Sequence, residues 1–282
     1  MTVTIEKWQG AGNAYLLVEA DALPFPLTPA RAVLLCDPRR GIGADGVLEL
    51  SAAGDADGSM RIVNPDGSPS EACGNGTRMV MRYLAARGAG RPVDGERDGR
   101  GDREVRLRTV AGLLVGTVGE DRVAVEMTPA ELAGPQYRPT DEPFPYVHRF
   151  VSIGNPHVVI AVDDPRTFPL EVEGPILERH AWFPERANVE VMRVRDRHHV
   201  EMRVWERGVG ETRACGTGAC AVAVAAVLSG DAESPVEVEL PGGALTIDVD
   251  PATLDVRMTG GAERIATIAL SDDLVRLLEA AG

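Results

Sequence analysis

The sequence predicts an α+β protein built from two copies of one domain, with strands enclosing a buried helix. Three observations predict it: a long-range internal repeat, strand-like runs before and after two apolar helix-length stretches, and one stretch with no polar face.

The repeat sets the frame. EACGNGTRMVMRYLAA (71–86) and TRACGTGACAVAVAAV (212–227) both carry Ala-Cys-Gly-x-Gly followed by an apolar run. Cys73 and Cys215 stand 142 residues apart, and the same offset takes Asn13 to Asn155, Asn64 to Glu206 and Gly46 to Asn188. Several landmarks at one spacing mark a duplication. The halves are 1–118, carrying Cys73, and 119–264, carrying Cys215, followed by 265–282.

Each half reads as strands, then a helix, then strands. Alternating or β-branched runs occur at VTIEKW, YLLVEA, MRIV, EVRLRTV and RVAVEM, and in the second half at HRFVSI, HVVIAV, HHVEMRVWE, VEVEL and LTIDVD. Helices are expected near Thr28–Leu35, Gly74–Ala86, Gly216–Leu228 and Asp273–Ala280. The run 216–228 is Ala, Val, Cys and Leu almost all round, so a helix there has to be buried on every side. Residues 88–104, rich in Gly, Asp and Arg without a period, read as an exposed loop.

Composition narrows the function. A chain of 282 residues, 44% hydrophobic and 26% charged, suits two ordinary domains. The start MTVTIEKWQG has no signal-peptide pattern, and no apolar run is long enough to span a bilayer, so a cytoplasmic protein is expected. A net charge of −14 repels phosphate backbones and anionic membranes, which argues against nucleic-acid and membrane partners. Lys7 is the sole lysine and lies in an extended run, so a pyridoxal Schiff base is not expected. The cysteines form no CxxC pair or zinc-spaced cluster. No cofactor and no metal are therefore expected. Oligomeric state is not legible in the pattern; a homodimer is one option.

The chemistry concentrates at the two repeated cysteines. Gly74-Asn75-Gly76 and Gly216-Thr217-Gly218 open the two helices. A helix N-terminus offers unpaired N–H groups and partial positive charge, and glycines let a ligand reach the backbone. Such a site suits a carboxylate, and its field is expected to lower a thiol pKa. Two such units facing each other would place one thiol on each face of an α-carbon, the geometry that stereoinversion requires. One thiolate would remove the α-proton and the other thiol would return one. Cys36 and Cys220 have no repeat partner and read as core filler. His157 reads as a satisfied polar residue, and His198 and His199 as surface strand residues.

The segments GAGN (10–13), GIGADG (41–46), NPDGSPSEACGNGTR (64–78), GNPH (154–157), ANVE (187–190), WERGVGETRACGTGAC (205–220) and LPGG (240–243) together resemble the diaminopimelate epimerase family. The resemblance implies two similar domains, each a mostly antiparallel sheet curled around a central helix. It also implies an active site in the cleft between them and a C-terminal segment, 265–282, packed back on the first domain. It implies an isomerase that needs no cofactor and takes a small amino-acid substrate, with Cys73 and Cys215 as the acid/base pair. Gly74, Asn75, Gly216 and Thr217 would bind the carboxylate at the reacting centre. Asn13, Asn64, Asn155, Asn188, Glu206 and Arg207 would hold the substrate, chiefly its distal amino-acid end. The reaction implied is interconversion of LL- and meso-diaminopimelate for lysine and cell-wall precursor synthesis.

This sequence departs from the family pattern at one wall: Gln9 and Ala14 stand where His and Asp are usual, and Gly46 or Val47 replaces an amide. A same-fold racemase of proline, hydroxyproline or histidine therefore stays in view, as does a thiol redox switch of Cys73 and Cys215. A catalytically inactive binding module is a further alternative that two retained cysteines disfavour.

Overall fold

The protein is described here from a computed structural model covering residues 3–70, 74–93, 101–110 and 112–282. Cys73 and the segment 94–100 of the expected loop lie outside the described residues. Elements run β1 (Thr4–Gly10), β2 (Asn13–Glu19), α1 (Pro29–Cys36), β3 (Val47–Ser51), β4 (Gly58–Val63), β5 (Pro69–Ser70), α2 (Gly74–Ala86) and β6 (Arg91–Pro92). They continue with β7 (Arg103–Thr109), β8 (Gly112–Val118), β9 (Val123–Glu126), β10 (His148–Ser152), β11 (Pro156–Ala161), α3 (Leu170–Glu178), β12 (Asn188–Asp196) and β13 (His199–Glu206). The last are β14 (Gly210–Thr212), α4 (Gly216–Ser229), β15 (Val236–Leu240), β16 (Gly243–Val249), β17 (Val256–Gly260), β18 (Glu263–Ala269) and α5 (Asp272–Ala280). Packing divides the chain into two units, Met1–Val125 with Gly261–Gly282, and Glu126–Gly260.

In the first unit β1 pairs antiparallel with both β2 and β18. The sheet passes from β2 to β3 in parallel, back through β4, in parallel to β7, then antiparallel to β8 and β9. Helix α2 packs against β1, β2, β3, β7 and β8, so the sheet curls around it. The second unit repeats the plan: β10 and β11 antiparallel, β11 and β12 parallel, β12 and β13 antiparallel, β13 and β15 parallel, then β16 and β17. Its sheet encloses α4, whose residues Gly216–Ala226 are all buried. Most pairs are antiparallel, and each parallel pair is joined by a chain crossover containing a helix, as parallel pairing requires.

The duplication extends to strand register. Leu16 faces Val47 in the first unit and Val158 faces Val189 in the second, the same pair moved by 142 residues. Val47 opposite Val63 becomes Val189 opposite Trp205, and Ile62 opposite Ser70 becomes Val204 opposite Thr212. Beyond the central helix the offset drops to 131: Val105 opposite Gly116 corresponds to Val236 opposite Ile247. The first copy is longer between its central helix and the next long strand.

All four expected helices form, with caps that explain their ends. Thr28 accepts from Arg31 N, with Pro29 at the first turn of α1. Ser271 accepts from Leu274 N at α5, where Asp272 and Asp273 meet the positive end of the helix dipole. Gly230, at φ 79°, closes α4 in the left-handed region.

Helix α3 was not expected. Pro169, Gly174 and Pro175 are residues that ordinarily interrupt a helix, yet Pro169 stands at the N-cap of α3 and Gly174 and Pro175 lie inside it. Gly174 is there for close approach, since a Cβ on it would lie 2.6 Å from Trp205 Cγ. Within the loop expected at 88–104, Arg91–Pro92 pairs with Arg103–Glu104 because β7 extends to meet it.

The C-terminal segment completes the first unit. β18 pairs with β1, Leu270 and Leu278 enter the core with Ile5, Leu16 and Leu35, and α5 is tied down by Arg31. That guanidinium donates to the carbonyls of Leu278 (2.8 Å), Pro26 (2.6 Å) and Glu279 (3.4 Å). Hydrogen bonds from a charged donor are worth about 1.5–3 kcal/mol. Arg31→Ala should lower stability by an amount of that order in chemical denaturation. A loss under about 0.5 kcal/mol, the scale of a neutral surface change, would show that packing alone holds α5.

Candidate active site

In the second unit the site is built on the N-terminus of α4. Cys215 is the helix N-cap: its backbone is extended at φ −129° and ψ 113°, and its Sγ accepts from Gly218 N at 3.4 Å. Thr217 Oγ1 stands 3.5 Å from Sγ. The Gly-x-Gly spacing has a steric cause here, because a Cβ at Gly218 would lie 2.7 Å from Glu190 Oε1 and 3.3 Å from Cys215 Sγ.

Three strands of this unit bring acids and amides to that cap. Glu206, the last residue of β13, accepts from the Thr212 hydroxyl and lies near enough to Cys215 for its charge to act on the thiol. Glu190, on β12 and fully buried, meets His157 Nδ1 at 2.7 Å. His157, on β11, meets Asn155 Oδ1 through Nε2 at 3.1 Å, and Asn155 Nδ2 donates to Thr217 Oγ1 at 3.4 Å. Five residues of the expected set, Asn155, Glu206, Cys215, Gly216 and Thr217, thus gather at one helix end.

Asn188 and Arg207 pair beside them. Asn188 Oδ1 accepts from Arg207 N at 2.9 Å, while its Nδ2 donates to Pro156 O at 3.0 Å. The Arg207 guanidinium rests on Glu185 O at 3.1 Å.

In the first unit the expected residues are held separately. The segment 41–46 wraps the end of α1, with Ile42 N and Gly43 N donating to Leu35 O and Ala44 N to Cys36 O. This places Asp45 to accept from Asn13 Nδ2 (3.1 Å) and Ala14 N (2.7 Å). Asn64 Nδ2 donates to Ser68 Oγ at 3.0 Å. At the start of α2 the buried Arg78 donates to Asn75 Oδ1 at 2.8 Å and to Gly74 O at 3.3 Å. At the departing wall Gln9 Nε2 donates to Glu263. Gly46 sits where a Cβ would meet the Tyr15 ring at 2.6 Å, so no amide side chain fits this backbone.

The electrostatics reverse one expectation. The Cys215 thiol is pushed well above its ordinary range, first by burial and then by the charges of Glu206 and Glu190. The Thr217 contact and Gly218 N–H oppose this without overcoming it. A helix terminus lowers a thiol pKa at a wet or cationic site; here two carboxylates share a dry one. Glu206 is itself raised by burial, against the contacts from Thr212 and Cys215 that lower it. Cys36, read as filler, is buried in the core and pushed up to about 11 by desolvation and Asp45. Cys220 is buried within α4.

Sequence reasoning passed over Glu190, Thr212, Asp45 and Arg78. Two signals were available: Glu190 closes the ANVE segment, and Asp45 lies inside GIGADG.

The family model for diaminopimelate epimerase matches residues 6–133 and 149–265. The chain belongs to the diaminopimelate epimerase family. It is 39% identical over 282 residues to the diaminopimelate epimerase of Microcystis aeruginosa, covering 94% of this chain and 98% of that one. It is 41% identical over 280 residues to the enzyme of Synechococcus sp. (strain JA-3-3Ab), covering 92% and 95%. Among solved structures, a probable proline racemase from Agrobacterium radiobacter superposes with a TM-score of 0.67 over 97% of this chain and 94% of that one, at 16% identity. That likeness supports the two-fold α+β plan. The chain is thus an isomerase, an epimerase by family. Among the described residues no helix is long and apolar enough to cross a membrane.

The raised thiol gives a direct expectation for this epimerase. At about pH 8.5, where a free cysteine is half ionised, Cys215 should be alkylated by iodoacetamide far more slowly than a model thiol. Glu206→Gln removes a like charge, so the reaction should then begin at lower pH. Peptide mapping across a pH series reads both, and an ordinary titration of Cys215 in the native protein would contradict the geometry.

Proposed function

We propose that this protein interconverts LL- and meso-diaminopimelate with Cys73 and Cys215 as its two acid/base groups, without metal or organic cofactor. The observation that carries the reading is the Cys215 cap, a buried thiol at the mouth of an enclosed helix with the charge of Glu206 acting on it. The sequence repeats the same cap motif at Cys73.

The roles follow from the chemistry. The N–H groups opening α4 at Gly216 and Thr217, with their counterparts at Gly74 and Asn75, bind the carboxylate of the reacting centre. Glu206, although expected among the substrate-holding residues, stands against the thiol. As a carboxylate it accepts the Cys215 proton and leaves a thiolate to attack the α-hydrogen. In the reverse direction Cys215 is the acid, and a thiol held up by burial keeps its proton until the carbanion forms. The dry setting strengthens every interaction with that developing charge. Asn13, Asn64, Asn155, Asn188 and Arg207 hold the rest of the substrate, with Asn188 fixing the backbone that carries Arg207. A guanidinium fork there suits a second carboxylate.

Incubation with a panel of amino acids in D₂O tests reaction and substrate together. Diaminopimelate should gain α-deuterium and invert; proline, hydroxyproline and histidine should not. Cys215→Ala should lose about 10²–10⁴-fold, the scale of one acid/base group. Arg207→Ala should cost about 2–5 kcal/mol of transition-state binding with diaminopimelate. Good turnover of proline with none of diaminopimelate would overturn the substrate. Unchanged inversion in Cys215→Ala would overturn the mechanism.

A further inference from the structure

Glu190 is a fully buried carboxylate that the proposed acid/base steps do not use. Among the described residues one of its oxygens, Oε2, has no hydrogen-bond partner, while Oε1 meets His157 Nδ1. A buried polar group in that condition calls for a reason. From His157 the contacts run on through the Asn155 amide to Thr217 Oγ1, and Thr217 Oγ1 is 3.5 Å from Cys215 Sγ. All the links lie in the second unit.

We propose that Glu190 is a positioning residue for the Cys215 thiol, acting through a buried relay of His157, Asn155 and Thr217. This rests on the reading of Cys215 as an acid/base group.

The relay has a direction, and Glu190 sets it. An ionised carboxylate only accepts, so it holds a ring hydrogen on Nδ1. Asn155 meets Nε2 with its carbonyl oxygen, which also only accepts, so this polarity needs a second ring hydrogen on Nε2 and a cationic ring held by the carboxylate; the amide hydrogens of Asn155 then turn to Thr217 Oγ1. An Oγ1 that accepts there directs its own hydrogen to Sγ, which is the contact a thiolate needs. In the opposite polarity the proton has returned from Nε2 through the chain to sulfur: the Asn155 amide is turned over and donates to the bare Nε2, Thr217 gives its hydrogen to Asn155 Oδ1, and Oγ1 accepts from the thiol. The two polarities match the two protonation states of Cys215. Without Glu190 nothing fixes the far end, and the Thr217 hydroxyl loses its bias toward sulfur.

The other copy of the repeat lacks the residues at the far end of this relay. At the offset of 142 residues, His157 corresponds to Tyr15 and Glu190 to Leu48. Leu48 is fully buried in the first unit and carries no charge. Among the described residues the charged groups acting on Cys215 are Glu206 and Glu190, and Glu206 in turn feels Glu190 and His157.

The test reads the thiol without substrate. The pH midpoint of Cys215 alkylation by iodoacetamide is measured by peptide mapping in four proteins: wild type, Glu190→Gln, Thr217→Val and the double variant. Removing Glu190 also removes a like charge, which by itself lowers the midpoint equally in both backgrounds. If the relay operates, Glu190→Gln also costs the thiolate its Thr217 donor, but only where Thr217 is present. The substitution should therefore lower the midpoint further in the Thr217→Val background than in wild type, by about threefold or more in thiolate fraction. Equal shifts, or no shift in either, would overturn the relay. Should Glu190→Gln not fold, His157→Gln cuts the next link and should likewise shift the midpoint by different amounts with and without the Thr217 hydroxyl; equal effects again overturn it. Failure of diaminopimelate turnover with unequal shifts would remove the proposed function and leave the relay standing. Normal turnover with equal shifts would do the reverse.

Discussion

Helix α4 has no face for solvent, and so its N-terminal N–H groups end inside the protein. Groups in that position need acceptors that water cannot supply. Cys215 answers one of them by capping Gly218 N with sulfur. Sulfur is a weak acceptor, and it leaves the helix end under-satisfied in a way that oxygen would not. The same enclosure that makes α4 stable as an Ala/Val rod also keeps the site dry. Burial then dominates the thiol, and the carboxylates of Glu206 and Glu190 add to it.

Glycine at 218 belongs to the same constraint. The Glu190 carboxylate reaches so near the first turn of α4 that a Cβ at 218 would meet its oxygen. Close approach brings the carboxylate under the helix end, where partial positive charge favours it. The helix dipole therefore serves the neighbouring acid as well as any bound carboxylate.

Much of this was legible in the sequence, and the repeat explains how much. The central helices were readable because α2 is flanked by clear punctuation and α4 is apolar throughout. The cysteines were readable because they occur twice. Helix α3 was obscured by its prolines, yet moving the expected helix 28–35 by the repeat offset lands on 170–177, within one residue of where α3 starts and ends. Strand β12 was likewise available as the copy of β3. The state of Cys215 was not readable. It depends on Glu190 and Glu206, 25 and 9 residues earlier in the chain, meeting the cap through strand pairing. A local rule about helix ends cannot anticipate two acids delivered by a sheet.

The division of the chain has a consequence for its synthesis. The second unit is contiguous from Glu126 to Gly260, while the first takes its edge strand β18 and helix α5 from residues that follow the whole of the second. As the chain leaves the ribosome, the half encoded first must wait with β1 unpaired on that side until β18, made after the whole second unit, emerges. The half encoded second can close before it. Vectorial folding thus runs against sequence order here, and the exposed edge of β1 is the surface that a nascent-chain chaperone would have most reason to cover.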